Sequence, residues 1–351
     1  MTTSQMPPAD YRPATHRTIL LSRAFAYAMI ATLFLYLLNN YLVHWQEWPG
    51  PYIFFSQLGW FGLEALDTPL AAEKIPLGWI QVAAYLLALG GAIAYAITTK
   101  SRTLHHDARR FSKLSEYIIR AAFWAVVLIG AADTLISFLR IENFLDAWVS
   151  KELVTQLGRP IFRGTYVHYP LLLSAFIFAW FIRSISFSWL ALMVVLSEFL
   201  IVITRFVFSY EQAYMGDLVR FWYAALFLFA SGYTLIHEGH VRVDVIYAGF
   251  SRRVKAWTNS IGIFLFGLPI CWVILMQGMG GKGNSINSPL LSFEISQSGY
   301  GLYVKYLMAG FLVVFAVSMM IQFVSFLLHS IADIIHDYGS SEHPYNQICG
   351  Y

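Results

Sequence analysis

The sequence predicts an all-α polytopic membrane protein with about eight transmembrane helices and both termini in the cytoplasm. Only 12% of the 351 residues are charged and 58% are hydrophobic, whereas soluble domains carry about 25% charged residues. Each of four runs without Asp, Glu, Lys or Arg is long enough to cross about 30 Å of hydrocarbon as a helix. These runs are 24–43, 75–98, 256–281 and 306–332.

The predicted spans follow a polar leader, residues 1–18, and precede a polar tail, residues 336–351. They lie near 19–43, 76–98, 119–139, 166–183, 187–208, 217–237, 256–278 and 304–330. The fourth is the weakest, because its strongly apolar core, YPLLLSAFIFAWFI, would extend only about 21 Å as a helix. The uncharged run around it reaches about 28 Å, which is enough for an upright helix. A half-buried segment is the alternative.

The distribution of charge supports eight crossings. Basic residues cluster in the connections 99–118 and 238–255, and the positive-inside rule places both connections in the cytoplasm. The chain must therefore cross the membrane an even number of times between them, as the four segments from 119 to 237 do. The connections 44–75, 140–165 and 280–302 are then periplasmic.

A cluster of charged residues and histidines follows the sixth span in HEGHVRVDV, residues 237–245. Its histidines are three apart rather than four as in a zinc-protease helix, and no partner cluster supplies a third ligand. From His240 onward polar and apolar residues alternate, which is the period of an extended segment. We interpret the stretch as an extended strap whose His240, Arg242 and Asp244 face a polar partner. Ser251 is the predicted N-cap of the next helix.

The sequence contains no signature of catalysis or of cofactor binding. G-x-S-x-G and Walker motifs are missing. We assign the ten histidines to loops, tails and helix ends, which argues against bis-histidine haem. The two cysteines, Cys271 and Cys349, are predicted to be free thiols. A net charge of +3 reflects membrane orientation rather than affinity for nucleic acid. We therefore expect no catalytic, cofactor-binding or metal site in this chain.

Two acidic residues fall inside predicted spans. Glu198 lies near the middle of the fifth span and Asp133 lies in the third, where an ionised acid costs at least about 2.5–3.5 kcal/mol. Arg205 follows Glu198 on roughly the same helical face, but about 10 Å further along the axis, which is too far for direct pairing. We interpret both acids as polar contacts to another helix or subunit, with ion coupling as the alternative.

Motifs in the second half of the chain resemble a known family. GHVRVDV, followed by FSRRVKAW and a long apolar helix, is similar to the small membrane subunit (DctQ type) of tripartite ATP-independent periplasmic (TRAP) transporters. Further similarities lie in order around it: Arg205 to Phe208, Asp217, Glu294 with Ser296, Gly301-Leu302 and Gln322. The sequence departs from the family pattern at Tyr303, where a proline is usual.

The resemblance covers about 185–335 and implies how the chain is divided. Residues 185–335 would form the DctQ-like four-helix domain, and residues 19–184 an N-terminal extension of about four further spans. The implied subunit-contact candidates are His240, Arg242, Asp244, Arg205, Asp217, Glu198, Gln322 and Glu294.

The family implies a small permease subunit in the bacterial inner membrane, surrounded by phospholipid. It would brace the large (DctM type) elevator subunit, to which a periplasmic binding protein delivers an organic acid. The sodium symport sites would belong to the large subunit, so this chain needs no cofactor. The sequence leaves open a redox anchor, or a haem-free anchor or scaffold of another inner-membrane complex.

The predicted topology can be tested by labelling. In a background without Cys271 and Cys349, an impermeant maleimide should label Ser285→Cys, which is predicted to be periplasmic, and should not label Ser101→Cys. Labelling of both variants, or of Ser101→Cys alone, would contradict the eight-span orientation.

Overall fold

The computed structural model of the chain describes residues 16–183, 187–236, 245–296 and 301–335, and all the regular structure in these ranges is helical. Eight of the described helices are long and apolar enough to cross a membrane. They are α1 (His16–His44), α2 (Lys74–Thr98), α3 (Leu104–Ile141), α4 (Pro160–Phe181), α5 (Phe187–Phe208), α6 (Ala213–Ile236), α7 (Arg252–Met279) and α8 (Lys305–Ile335). The predicted all-α polytopic fold is thereby confirmed, while the side on which the termini lie stays a prediction.

The fourth span, which the sequence left uncertain, is a continuous helix of 22 residues. Pro160 lies in its first turn, where the missing N–H of proline removes no helical hydrogen bond. The helix passes through a π-helical turn, Gly164–His168, and continues as Tyr169–Phe181. Its start lies before the predicted residue 166, because the prediction excluded the charged Arg163 from the span.

The third span also begins earlier than predicted. Most of the predicted basic loop 99–118 belongs to α3, and the connection from α2 is only residues 99–103. The 38 residues of α3 extend about 57 Å, well beyond the thickness of the hydrocarbon. The prediction of a loop to residue 118 was wrong because charged residues mark the end of the apolar part of a helix and not the end of the helix.

Short helices occupy several of the connections between spans. Gly50–Leu58 follows α1, Lys151–Leu157 precedes α4, and Asn287–Ser292 lies between α7 and α8. The hydroxyl of Ser251 accepts a hydrogen bond from the backbone N–H of Val254 at 3.4 Å at the start of α7. The predicted N-cap is therefore confirmed.

The contacts between helices divide the chain into two compact units. The first contains residues 1–112, 241–270 and 320–351, and the second contains residues 113–240 and 271–319. Each unit therefore includes residues from both sides of the predicted boundary between residues 184 and 185. The predicted domains, 1–18, 19–184, 185–335 and 336–351, are divisions along the sequence and stay a prediction.

A buried ion pair organises the first unit. Nε of Arg23 in α1 lies 2.6 Å from a carboxylate oxygen of Asp107 in α3, and the two side chains are at most 1% exposed. Arg23 also donates to the carbonyl oxygen and the hydroxyl of Thr99, and Tyr27 donates to the other oxygen of Asp107. Because a buried charge is tolerated only when it is paired and hydrogen-bonded, these contacts fix α1 and the connection after α2 against α3.

Aromatic side chains from α6 and α8 form the apolar centre of the second unit. The rings of Phe221 and Phe229 in α6 pack against Phe311 in α8, with centroids 5.2 and 5.0 Å apart. The indole N–H of Trp222 donates to the backbone of α3 at 3.3 Å. A Cβ at Gly130 would lie 2.5 Å from this indole nitrogen, so α3 and α6 approach closely only because residue 130 is glycine.

Candidate functional site

A group of charged and polar side chains lies in the interior of the second unit. Asp133 of α3 and Arg163 of α4 are both 0% exposed, and the carboxylate Oδ1 is 2.9 Å from the guanidinium Nη1. Arg163 also donates to the hydroxyl of Ser137 and, through Nε, to the carbonyl oxygen of Leu157. Taking an isolated ion out of water is unfavourable by several kcal/mol. Both charges can lie inside spans only because these contacts compensate that cost.

His168, in the π-helical turn of α4, links the ion pair to α8. Its Nε2 is 3.1 Å from Oδ1 of Asp133, and its Nδ1 is 2.9 Å from the hydroxyl of Tyr306. Because a carboxylate only accepts, Nε2 carries a proton and donates it to Asp133. The assignment of every histidine to loops, tails or helix ends is therefore wrong at His168, which is buried inside a span. The error arose because α4 starts before the predicted residue 166.

The backbone of Tyr303 completes the coordination of the carboxylate. Its N–H donates to Oδ2 of Asp133 at 2.7 Å. The guanidinium of Arg163 lies over the Tyr303 ring at 4.0 Å, and the Tyr303 hydroxyl donates to the carbonyl oxygen of Gly158. A proline at this position would have no N–H to donate. The hydrogen bond therefore requires a residue other than proline at position 303.

We call Asp133, Arg163, His168, Tyr303 and Tyr306 the polar clamp. It joins α3, α4 and the start of α8, and both oxygens of its carboxylate are occupied by donors from the protein itself. The sequence singled out the acid at 133 and predicted a polar contact between helices, which is confirmed. It did not identify the arginine, the histidine or the second tyrosine as partners.

Three of the predicted subunit-contact residues, His240, Arg242 and Asp244, lie outside the described residues. Residues 237–244 of the predicted extended strap lie there as well, and its last residue, Val245, begins the short helix Val245–Ala248. The role of the three contact residues stays a prediction.

Two other predicted contact residues form exposed ion pairs near helix ends. Arg205, in the last turn of α5, lies 3.3 Å from Glu211, and both side chains are more than half exposed. Glu294, before α8, lies 2.6 Å from the ammonium of Lys305. Because exposed pairs of this kind contribute little to stability, neither pair is a major stabiliser of the fold.

Asp217 and Gln322 lie in more enclosed positions. Asp217, near the start of α6, accepts the backbone N–H of Leu302 at 3.1 Å and thereby fixes the segment that leads into α8. Gln322, in α8, is 1% exposed, and its Oε1 has no hydrogen-bond partner among the described residues. Asp217 is therefore a contact within this chain.

Glu198 lies near the middle of α5 and is exposed. The central part of α5 is only 6% buried, against at least 11% for each of the other seven spans. Within the described part of the chain, its carboxylate forms no hydrogen bond or ion pair. Among the predicted contact residues that the structure describes, Glu198 thus alone combines a mid-span position with an exposed side chain.

A groove of about 420 Å³ lies beside α5, where α3 and α6 also line it. Most of its lining is apolar, and its polar residues include Tyr210, which donates to Glu142 at 2.6 Å. Burial, together with this hydrogen bond, raises the pKa of Tyr210 above its ordinary value. The phenol therefore stays protonated at neutral pH and ties the connection after α5 to the end of α3.

Eight spans and paired buried charges define a polytopic membrane protein. Among the described residues, no group of three or more His, Cys, Asp or Glu side chains could hold a metal ion. Cys271 is free, as predicted, and its side chain is buried, while Cys349 lies outside the described residues.

Residues 190–333 match the family model described as "Tripartite ATP-independent periplasmic transporters, DctQ component". The resemblance that the sequence motifs indicated is thereby confirmed over this part of the chain, and α1–α4 precede it. The family is a transporter component rather than an enzyme family, and in TRAP systems it works with a DctM component and a periplasmic binding protein. Comparisons with curated proteins and with solved structures found no match.

The role of the Tyr303 N–H can be tested with a matched pair of variants. Both Tyr303→Ala and Tyr303→Pro remove the ring, but only the proline removes the donor to Asp133. A buried group left without its hydrogen bond costs about 1–3 kcal/mol, so Tyr303→Pro should unfold at a lower temperature than Tyr303→Ala. Thermal unfolding of the detergent-purified protein, followed by the loss of monodisperse material, measures the difference. Equal midpoints would refute the assigned role.

Proposed function

We propose that this chain is the small permease subunit of a TRAP transporter and braces a large, elevator-type DctM subunit in the bacterial inner membrane. The transporter takes up an organic acid that a periplasmic binding protein delivers, and a sodium gradient drives the uptake. The observation that carries the proposal is the DctQ match over residues 190–333, which extends from α5 to α8.

The arrangement of charges supports a bracing role rather than a transport site in this chain. An ion or substrate site needs polar atoms that are free to bind a ligand. In the polar clamp both oxygens of Asp133 accept donors from the protein, and the oxygens of Asp107 are occupied by Arg23 and Tyr27. Buried pairs of this kind fix helices in place. Neither buried carboxylate is therefore available to a ligand, and we propose that the sodium and substrate sites lie in the large subunit and that this chain needs no cofactor.

The helices before the matched region enlarge the brace in this proposal. α3 and α4 supply three members of the polar clamp, while Tyr303 and Tyr306 come from the matched region. The predicted periplasmic connection 44–75 carries exposed aromatic side chains, with Phe61 80% and Trp60 46% exposed. We propose that this connection extends the surface on which the binding protein docks.

Reconstitution tests the proposed function. The chain should purify as a complex with the DctM-type subunit of the same organism when the two are expressed together. Thermal shifts of the binding protein with a panel of organic acids identify the acid to use. Proteoliposomes containing both membrane subunits should then accumulate this acid only with the binding protein and an inward sodium gradient.

The matched control contains the large subunit without this chain and should show no uptake. Uptake at the full rate in that control would contradict the bracing role. Failure of the two membrane subunits to associate would instead favour the alternative, an anchor or scaffold of another inner-membrane complex.

A further inference from the structure

The carboxyl group of Glu198 is an unusual feature of the described surface. It is exposed near the middle of α5, and the nearer end of the helix, at Phe208, is about 15 Å away along the axis. A glutamate side chain is too short to reach the headgroup region from that depth. Lipid tails supply no hydrogen bond, so an acid that faces lipid at this depth is strongly disfavoured.

The chain itself does not compensate this group in the described residues. Arg205, on about the same face of α5, lies roughly 10 Å further along the axis and contacts Glu211. An exposed, uncompensated acid inside a span indicates that a group from outside this chain covers it in the assembled complex.

The exposed surface of α5 has two sides of different character. On the side of Glu198, at helical spacings of seven, three and four residues, lie the partly exposed Ala191 and the exposed Val195 and Val202. These side chains are smaller than leucine or phenylalanine and let a second spanning helix pack closer to the backbone of α5.

The other exposed side of α5 carries bulky side chains, which suit contact with lipid. They are Leu192, Leu196 and Phe199. The hydrogen-bonding group and the smaller side chains therefore coincide on one side of α5.

We propose that the side of α5 formed by Ala191, Val195, Glu198 and Val202 docks against a transmembrane helix of the large subunit. That helix presents a hydrogen-bond donor beside Glu198 at mid-membrane depth. The inference rests on the proposed function and specifies the partner surface. This side of α5 belongs to the segment that matches the DctQ component. A symmetric contact with a second copy is disfavoured, because it would place two acidic groups opposite each other.

Substitutions at Glu198 test the hydrogen bond. Glu198→Gln keeps the shape of the side chain and much of its hydrogen bonding, so complex formation and sodium-driven uptake should stay near those of the unmodified protein. Glu198→Leu removes the bond and should weaken binding of the large subunit about tenfold. Because leucine inserts into the membrane more favourably than glutamate, the amount of folded Glu198→Leu protein should not fall. The measurement is complex recovery per amount of folded, monodisperse small subunit over a titration of the large subunit.

A pair of tryptophan variants tests the position of the contact. Val195→Trp puts a bulky ring on the proposed side and should weaken the complex about as much as Glu198→Leu, because it prevents close helix packing. Leu196→Trp is the matched control, since Leu196 is similarly exposed, at 54% against 62% for Val195, but lies on the bulky side. It should bind like the unmodified protein.

The possible outcomes separate the inference from the proposed function. If the unmodified chain does not bind the large subunit, both fail. If it binds and neither Glu198→Leu nor Val195→Trp weakens the complex, only the docking surface is wrong. Equal weakening by Val195→Trp and Leu196→Trp also overturns it, as does self-association of the isolated chain that Glu198→Leu abolishes. Loss of sodium dependence in an intact Glu198→Gln complex would assign the residue to ion coupling instead.

Discussion

The second unit depends on a single carboxylate that is kept away from water. Asp133 is stable inside α3 only because α4 brings a guanidinium and an imidazole to it and the start of α8 brings a backbone N–H. Arg163 depends equally on the acid, since it is fully buried as well. Because a buried ion without its partner is strongly destabilising, segments distant in sequence must come together before any of them is stable. The polar clamp thus couples the formation of α3, α4 and the entry to α8.

The parts of the fold that depend on local sequence could be predicted, and the parts that depend on pairing could not. Length and hydropathy define a span within one stretch of chain, so eight spans were found without knowledge of their neighbours. The Ser251 cap is equally local. The starts of α3 and α4 were placed too late, because Asp107 and Arg163 were taken as residues of loops. Their partners lie on other helices, and a single sequence does not show which charges meet.

The candidate site, too, could be predicted only where it depends on local sequence. An acid inside an apolar run is visible in the sequence, and both Asp133 and Glu198 were singled out for that reason. The sequence could not show that one is enclosed by donors and the other is exposed, because exposure depends on which face of the helix its neighbours cover. Tyr303 was recognised as a departure from the family pattern, but its explanation involves a backbone atom that every residue except proline provides.

The hydrogen bond between Tyr303 and Asp133 makes the residue type allowed at position 303 depend on the acid at position 133. Proline at residue 303 would leave Oδ2 of Asp133 without the backbone N–H that it accepts. The four preceding helices are therefore not an exchangeable module. In a chimera that joins these helices to a four-helix protein with proline at this position, one oxygen of Asp133 would lack its hydrogen bond. The chimera would then need a substitution at position 133 or at position 303.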